Sequence, residues 1–323
     1  MKPARMRPLL APLAPLYSLA VSCRELRLER GWEPVRRLAR PVVSIGNLSA
    51  GGAGKTPLAI SLALALAQRG VAVDVLSRGY GRSSKQAIRV DPEGAATEFG
   101  DEPLLIARST GLPVYVARQR YDAGQMAEAE EPQSAIHLLD DGFQHRQLHR
   151  DLDIVLVSGA DLDDCLLPTG NLREPLQALR RASILAIPAD EPATEGRLRA
   201  LGLTAPLWRI RRTMKIPALN CPVVAFCGIA RPHQFFCGLE EAGLQLAARK
   251  AFADHHRYTM SDLLRLSEAA FAARALLLTT EKDATRIGSL RRQMPVPLLA
   301  VGLISEILDE DAALEALLKR LQS

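Results

Sequence analysis

A glycine-rich segment between residues 44 and 56 holds the residues best suited to chemistry in this 323-residue chain. It follows an apolar stretch, ends in Gly54-Lys55-Thr56 and precedes a run with helical apolar spacing. Glycines allow backbone N–H groups to turn inward around phosphate oxygens, and the positive end of a helix adds to the attraction. Lys55 could then reach the β- and γ-phosphates, and the Thr56 hydroxyl could bind Mg²⁺. The segment therefore predicts a P-loop that binds a nucleoside triphosphate.

One position departs from the usual GxxxxGK[ST] pattern, because Ser49 stands where the first glycine is expected. A glycine-rich turn with an incidental Lys-Thr pair is the alternative, and the strand before it and the helix after it disfavour that alternative. The predicted nucleotide contacts are Ser49, Gly51, Gly52, Ala53, Gly54, Lys55 and Thr56.

Two adjacent acids, Asp140 and Asp141, follow a second apolar stretch, Ile136–Leu139. An acid at the end of a buried strand is the usual partner of a P-loop, because it helps to hold Mg²⁺. Neighbouring strand residues point to opposite faces, so we expect only one of the two to contact the metal directly. Two solvated acids in a turn are the alternative. We predict a metal site formed by Thr56, Asp140 and Asp141.

The class of P-loop protein is narrowed by what the sequence lacks. GTPases usually read the base with Asn-Lys-x-Asp, whereas the nearest segment here, Thr280–Asp283, has its lysine and aspartate adjacent. One group of partner-regulated ATPases carries a lysine before the paired glycines, where this chain has Ala50. Both differences favour a small-molecule kinase that uses ATP and Mg²⁺. A nucleotide switch that acts through a protein partner is the alternative.

Apolar strands alternate with helices after residue 40, a pattern typical of parallel α/β sheets. The predicted strands are Pro41–Ile45, Val71–Leu76, Pro113–Ala117, Ala135–Leu139, Asp153–Val157, Ser183–Ile187, Pro222–Phe226, Leu244–Phe252 and Ala275–Thr279. We predict a P-loop NTPase-like parallel sheet with helices on both faces, plus a second, smaller α/β domain joined by a short β linker. The predicted boundaries are 1–40 for a membrane-associated helix and basic flank, 41–204 for the P-loop domain, 205–217 for the linker strand, 218–296 for the second domain, and 297–323 for a return strand and C-terminal helix. We expect the return strand, Pro297–Gly302, to pair with the connecting strand, Ala205–Met214.

The basic character of the chain comes from its first 40 residues, which hold nine Lys or Arg and three acids, a net charge of +6. Because the whole chain carries +5, the remaining residues sum to −1, which argues against a nucleic-acid-binding body. Five cysteines without CxxC spacing argue against a disulfide framework or a zinc site and fit a reducing compartment.

The apolar stretch 9–22 is the best candidate for a membrane contact. It is too short to cross a bilayer, which takes about 18 residues, and it contains two prolines. A signal peptide and a buried helix are the alternatives, but no clear small-residue cleavage site follows. Arg24, Arg27 and Arg30 come next in helical spacing. We therefore favour a helix that lies in the interface with its arginines on anionic headgroups.

Several further segments combine glycine with polar residues, namely Ser77–Arg82, Gly100–Pro103, Leu167–Pro175 and Phe252–Tyr258. Together with GNLSAGGAGKTP and LLDDGFQHRQLHRDLDIVL, they closely resemble the tetraacyldisaccharide 4′-kinase family, the lipid A 4′-kinases of Gram-negative bacteria. The resemblance runs from the N-terminal apolar segment to about Arg286 and includes AFCGIARPHQFF and LLTTEKDATR. Serine at the first P-loop glycine also fits this family.

The resemblance implies a reaction and a location. The reaction is transfer of the γ-phosphate of ATP to the 4′-hydroxyl of a tetraacylated glucosamine disaccharide 1-phosphate, which gives lipid IV-A. The location is the cytoplasmic face of the bacterial inner membrane, where family members are monotopic and have two α/β/α domains. The implied partners are the lipid substrate and an anionic membrane surface, and we expect neither nucleic acid nor an obligate protein partner.

The resemblance also implies roles for individual residues. Asp101 corresponds to the aspartate that acts as base on the acceptor hydroxyl, and His255 to the histidine that assists it; with Lys55 they are the expected catalytic residues. Residues expected near Mg²⁺, the nucleotide or the acceptor are Arg78, Tyr80, Asp140, Asp141, Gln144, His145, Arg173 and Glu174. Because Asp101 and His255 lie in different predicted domains, we expect domain closure to bring them together.

Overall fold

The computed structural model describes residues 7–322. The helices are α1 (Ala14–Glu29), α2 (Lys55–Gln68), α3 (Ala96–Phe99), α4 (Asp101–Thr110), α5 (Arg120–Glu130), α6 (Gly159–Leu162), α7 (Pro192–Ala200), α8 (Pro232–Glu241), α9 (Met260–Ala272), α10 (Glu281–Ile287) and α11 (Glu310–Gln322). The strands are β1 (Val42–Asn47), β2 (Val73–Ser77), β3 (Ile88–Arg89), β4 (Val114–Val116), β5 (Ile136–Asp140), β6 (Leu152–Leu156), β7 (Ile184–Pro188), β8 (Leu207–Lys215), β9 (Val223–Cys227), β10 (Leu246–Ala251), β11 (Leu276–Thr280) and β12 (Leu298–Ile307). Short 3₁₀ helices are Pro8–Leu13, Leu176–Arg181 and Gly288–Gln293.

Within residues 7–322, all of these strands belong to one 12-stranded sheet, in the order β10-β9-β11-β12-β8-β7-β6-β1-β5-β2-β4-β3. The P-loop half is parallel, as predicted, except for β3, which pairs antiparallel with β4 at the edge. β8 and β12 are also antiparallel, with register from Ile210↔Ile307 to Lys215↔Gly302. Because β12 runs parallel to β11, the sheet consists of two parallel halves that run in opposite directions.

Helices cover both faces of the P-loop half. Alternate residues of β1 point to opposite sides, as the pleat requires. Val43 packs in one buried cluster with Leu58 and Leu62 of α2, whereas Val42 packs in another with Ala123 of α5. The near-continuous apolar sequence of β1 follows from this burial on both faces.

The second half of the sheet is sandwiched in the same way. Phe226 of β9 packs with Leu263 of α9 on one face, and its strand neighbour Ala225 packs with Phe235 of α8 on the other. Helix α8 follows β9 along the chain, and helix α9 follows β10.

The strands predicted from apolar runs are all present, each displaced by no more than a few residues. The carboxyl ends of β1, β2 and β5 lie side by side, with Ile45 opposite Asp140 and Leu76 opposite Leu139. Loops that follow parallel strands therefore meet at this edge, where open α/β sheets bind ligands. Among the described residues, no helix combines the length and the apolar character needed to cross a bilayer.

Candidate active site

The P-loop connects the end of β1 to the first turn of α2. Gly51 and Gly54 have φ angles of 98° and 84°, in the left-handed region that glycine adopts without strain. A Cβ at Gly54 would also lie 3.1 Å from the guanidinium of Arg212, which comes from β8 and donates to the carbonyl oxygen of Ala53 at 2.7 Å. The loop thus needs glycine for both its conformation and its close packing.

Ser49 has a structural role in this loop. Its hydroxyl accepts a hydrogen bond from the Asn47 amide at 3.0 Å, and its carbonyl accepts one at 2.8 Å. The same Asn47 accepts a hydrogen bond from Lys55 Nζ at 2.9 Å through its side-chain oxygen. Because Ser49 is buried and paired in this way, a serine at the first glycine position stiffens the loop instead of disrupting it.

A cavity of about 1290 Å³ extends from the P-loop between the two halves of the sheet. Its walls include Gly51–Thr56, both acids at the end of β5, and His255. Residues of α1 line one side, and residues of α8 and α10 line another. The cavity is large enough to hold a nucleotide together with a second ligand.

Asp101, the first residue of α4, is buried, and its neighbour Glu102 and its partner His255 line this cavity. Its Oδ2 lies 3.2 Å from His255 Nδ1 and 2.7 Å from Arg286 Nε. Burial alone would raise the pKa of Asp101, but the hydrogen bond from His255 and the charges of Lys282 and Arg286 hold that pKa well below its usual range. Asp101 and His255 are in contact in this structure, so domain closure is not required to bring them together.

The neighbouring acid, Glu102, is held by a residue of α10, the helix that also carries Arg286. Lys282 precedes Arg286 by one turn of α10, and its Nζ donates to Glu102 Oε1 at 2.6 Å. Burial would lower the pKa of Lys282, but the charges of Glu102 and Asp101 raise it above its usual range. The start of α4 is therefore bound to α10 by two cations.

The two acids at the end of β5 have different surroundings. Asp141 lies 3.4 Å from Lys55 Nζ and 3.1 Å from Arg173. Burial would raise the pKa of Asp141, but these two cations lower it. Asp140 is 2% exposed, and no described residue forms a hydrogen bond with its Oδ1. Burial first, then the charges of Glu102 and Asp141, raise the pKa of Asp140 to about 8.

A divalent cation fits this arrangement. A buried carboxylate oxygen without a partner is costly, and a cation beside it would remove that cost. Asp140 is therefore the acid best suited to face Mg²⁺, together with the Thr56 hydroxyl, while Asp141 pairs with Lys55. No group of three or more His, Cys, Asp or Glu side chains in the described part of the chain could hold a metal by itself. Such a site suits Mg²⁺, because nucleotide phosphates and water commonly complete the coordination of this ion.

The predicted acceptor residues surround the cavity near Asp141. Arg173 donates to Asp141 and, at 3.3 Å, to Gln144, whose own amide donates to Asn47 O at 2.8 Å. Glu174 lines the cavity and pairs with Arg181. Both Arg78 and Tyr80 line it as well, and the Tyr80 ring lies 5.1 Å from the His255 ring.

His145 is the predicted acceptor residue that does not line this cavity. Burial, followed by the charges of Arg120 and Arg150, lowers its pKa to about 3. His145 is therefore neutral at physiological pH and lies behind the cavity wall among arginines.

α1 forms part of the same cavity. Tyr17, Val21, Arg24 and Leu28 line it, at the spacing of one helix face. The Tyr17 hydroxyl donates to Arg173 O at 3.0 Å, and Arg24 donates to Gln144 O at 2.6 Å. Arg24 thus contacts the body of the protein. The opposite face exposes Leu16 and Leu19, at 64% and 61%.

Four residues of this site were not predicted from the sequence, namely Arg120, Arg212, Lys282 and Arg286. Lys282 and Arg286 lie in LLTTEKDATR, a segment that the family resemblance includes, but the residues they contact are about 180 positions away. Arg120 and Arg212 belong to no recognisable motif. Only the three-dimensional arrangement identifies them.

The fold and the site define a P-loop protein whose nucleotide loop shares one cavity with His255, the histidine of a buried aspartate–histidine pair, as in a phosphotransferase. Residues 6–322 match the family of tetraacyldisaccharide-1-P 4′-kinases, and this chain belongs to that family.

Individual relatives agree with this assignment. The chain is 43% identical over 320 residues to a tetraacyldisaccharide 4′-kinase of Koribacter versatilis, a match that covers 95% of this chain and 97% of that protein. It is 39% identical to one of Geobacter metallireducens, with 91% and 92% covered. The crystal structure of LpxK from Aquifex aeolicus, in complex with ATP, superposes with a TM-score of 0.76 at 30% identity, and covers 98% of this chain and 99% of that one.

Proposed function

We propose that this protein transfers the γ-phosphate of ATP to the 4′-hydroxyl of a tetraacyldisaccharide 1-phosphate and so produces lipid IV-A. The observation that carries the proposal is that His255, which lies 3.2 Å from Asp101, lines the same cavity as the P-loop, as does Glu102 beside Asp101. Membership of the tetraacyldisaccharide-1-P 4′-kinase family supports the identity of the acceptor.

The P-loop holds the triphosphate. Backbone N–H groups of Gly51–Gly54 and the N-terminus of α2 face the phosphates, and Lys55 offsets their charge. In this structure Lys55 Nζ is bound by Asn47 at 2.9 Å and faces Asp141 at 3.4 Å. Those contacts hold the ammonium in the loop before the nucleotide arrives.

Asp101 accepts the proton of the acceptor hydroxyl. A sugar hydroxyl is weakly acidic, so a carboxylate within hydrogen-bond reach assists the attack as the phosphoryl group moves. The low pKa of Asp101 keeps the carboxylate ionised at physiological pH. His255 orients the carboxylate, and Arg286 fixes its Oδ2 from the other side.

Thr56 and Asp140 would hold Mg²⁺, with Asp141 nearby. When bound by these residues, Mg²⁺ would neutralise negative charge on the nucleotide phosphates. Support for this assignment is the unpartnered, buried Oδ1 of Asp140. Asp141 instead forms ion pairs with two cations, Lys55 and Arg173, and aligns them.

The acceptor sugar lies between the P-loop and α1 in this proposal. Gln144, Arg173 and Glu174 supply hydrogen-bonding groups on one side, and Arg78 and Tyr80 on the other. The Tyr80 ring is 59% exposed, which leaves it free to cover a sugar.

We propose that α1 docks on the cytoplasmic face of the inner membrane. Leu13, Leu16 and Leu19 form an exposed apolar surface, which is costly in water and favourable at a bilayer interface. Because the opposite face of α1 lines the cavity, a lipid could enter the site with its acyl chains still in the bilayer.

The direct test uses [γ-³²P]ATP and purified tetraacyldisaccharide 1-phosphate in mixed micelles. The wild-type protein should label the lipid, and mass spectrometry should locate the new phosphate on the 4′ position. Lys55→Met should lower the rate about 100- to 1000-fold, because it removes a positive group from the charged phosphates. Lys319→Met, at an exposed position of α11, is the matched control. Hydrolysis of ATP without labelled lipid, stimulated by a protein partner, would contradict the proposal and favour a nucleotide switch.

A further inference from the structure

Asp283 is a buried carboxylate that lies behind the Asp101–His255 pair. It is the third residue of α10, and its side chain is 0% exposed. The cavity wall that residues 7–322 form does not include Asp283. This carboxylate is therefore not placed to touch a nucleotide or a lipid, and any effect of it on the reaction must pass through its neighbours.

Donors from separate segments of the chain converge on Asp283. Arg286 donates to its Oδ1 at 2.8 Å, and the Tyr258 hydroxyl donates to the same oxygen at 3.0 Å. The Thr280 hydroxyl donates to Oδ2 at 2.7 Å, and the N–H of Gly228 lies 3.1 Å from both oxygens. Burial and the negative charge of Asp283 raise the pKa of Tyr258 above its usual range, so the hydroxyl stays a donor. An ionised carboxylate suits this position, because it only accepts hydrogen bonds and accepts several at once.

Arg286 connects Asp283 to Asp101. Its Nη1 donates to Asp283 Oδ1, and its Nε donates to Asp101 Oδ2 at 2.7 Å. Both hydrogen bonds come from one guanidinium group, whose planar fork has a fixed geometry. A carboxylate that holds Nη1 therefore also sets the direction in which Nε meets the proposed base.

The loop that carries His255 is held by the same carboxylate. The His255 N–H donates to the carbonyl oxygen of Gly228 at 3.1 Å, and the N–H of Gly228 is bound by Asp283. Tyr258, further along the same loop, is attached to Asp283 through its hydroxyl. His255 has a φ angle of 57°, which is uncommon for a residue with a side chain, so its backbone depends on such contacts. The position of the imidazole, 3.2 Å from Asp101, therefore depends on Asp283.

We propose that Asp283 is a positioning residue for phosphate transfer, and this inference rests on the proposed function. It holds Arg286 directly and His255 through its loop, and both of these side chains contact Asp101. A shift of about 1 Å in a reacting group can lower a rate about 100-fold. One buried carboxylate thus sets the orientation of the base without touching the substrates.

The kinetic test compares Asp283→Asn with the wild-type protein. Asparagine keeps the size of the side chain, but it loses the negative charge and puts an N–H donor where the carboxylate accepts hydrogen bonds. The kcat for transfer of phosphate from ATP to tetraacyldisaccharide 1-phosphate should fall at least about 10-fold. The KM for ATP should stay within about twofold, because the P-loop is unchanged. A kcat within about twofold of the wild-type value would overturn the proposal.

Asp161→Asn is the matched control. Asp161 is a buried carboxylate at the third position of α6, and it accepts a hydrogen bond from the hydroxyl of Ser158, the N-cap residue. Asp283 has the same place in α10 relative to Thr280. The control should keep the wild-type kcat. A loss as large as that of Asp283→Asn would assign both losses to the fold and overturn the proposal.

A double variant tests whether Asp283 acts through Arg286. Residues that act through one another give losses that do not multiply. The loss of kcat in Asp283→Asn/Arg286→Met should be at least about threefold smaller than the product of the two single losses. Losses that multiply would overturn the proposal.

An NMR measurement decides the same point without turnover. The Hε1 signal of His255, assigned with His255→Gln, reports the contact of its ring with Asp101. The signal should shift in Asp283→Asn and in Tyr258→Phe, which keeps the buried ring and removes only the hydroxyl. An unshifted His255 signal in Tyr258→Phe would overturn the proposal, even if Asp283→Asn does not fold. The proposed function fails separately, if the wild-type protein does not phosphorylate the lipid.

Discussion

Arg286 Nε donates to Asp101 Oδ2 at 2.7 Å, across 185 residues of sequence and between the two halves of the sheet. Arg286 also donates to Asp283 at 2.8 Å and to the carbonyl oxygen of Gly228. The base proposed for the reaction is thus held by a side chain of the second half. A buried arginine with these partners both positions the carboxylate and favours its ionised form.

Replacing Arg286 should change the pH dependence of the reaction. Without the guanidinium, the pKa of Asp101 rises towards or above its usual value, so protonation inactivates the base at a higher pH. The acid limb of the kcat profile should therefore move to higher pH in Arg286→Met and less in Arg286→Lys, which keeps the charge. Steady-state rates between pH 4 and 9 provide the measurement.

The control for this prediction is Arg292→Met, an exposed arginine in the 3₁₀ helix that follows α10. Breaking a buried ion pair costs about 3–5 kcal/mol, so the melting temperature of each variant must be recorded first. An Arg286→Met enzyme that folds and keeps the wild-type acid limb would show that Arg286 does not act on Asp101.

Asp140→Asn should weaken the metal requirement of the reaction selectively. Asparagine keeps the size of the side chain but removes the negative charge that Mg²⁺ needs. The Mg²⁺ concentration for half-maximal activity should rise at least about 10-fold. Binding of Mn²⁺ in the presence of ATP, followed by electron paramagnetic resonance, should weaken in parallel. Asp91→Asn, at an exposed position, should behave like the wild type, and equal Mn²⁺ affinity in both variants would remove Asp140 from the metal site.

The double variant Leu16→Ser/Leu19→Ser should reduce membrane binding. Both side chains are exposed on the face of α1 that points away from the cavity. A buried leucine contributes about 1.5–3 kcal/mol, so binding to phosphatidylglycerol vesicles should fall about 10-fold or more. Sedimentation with vesicles gives the bound fraction.

Phe271→Ser, which removes a 63% exposed ring from α9, is the matched control for the leucine variant. It should bind vesicles like the wild type. If the phenylalanine variant lost binding and the leucine variant kept it, α9 and not α1 would be the docking surface.

Much of this architecture was predictable, for physical reasons visible in particular residues. Strands such as β1 and β5 are buried on both faces, so they form continuous apolar runs that stand out in the sequence. The P-loop was recognisable because its glycines are needed locally, at positive φ angles. The pairing of the linker strand with the return strand was predicted, and β8 and β12 confirm it. That both halves form one continuous sheet was not predicted, because strand order leaves no local signal in the sequence.

The contacts of the site were harder to predict than its motifs. Asp101 and His255 came from the family resemblance, and the structure brings their side chains together. Arg286 contacts Asp101, and Lys282 contacts the neighbouring Glu102, from a helix whose sequence resembles an ordinary charged surface. The place of Arg120 in the site is harder still to predict, because an arginine at the start of a helix is usually solvated. Only the burial of its side chain without a hydrogen-bond partner for Nε distinguishes Arg120.

The measurement that tests the account most directly is the rate of phosphate transfer from [γ-³²P]ATP to tetraacyldisaccharide 1-phosphate by Asp101→Asn. Asparagine keeps the shape of the side chain but cannot accept the proton, and general-base catalysis contributes about 100- to 10,000-fold. We predict a fall in kcat of that size with ATP affinity within about twofold of the wild type. An Asp101→Asn enzyme that transferred phosphate within tenfold of the wild-type rate would contradict the assignment of Asp101 as the base.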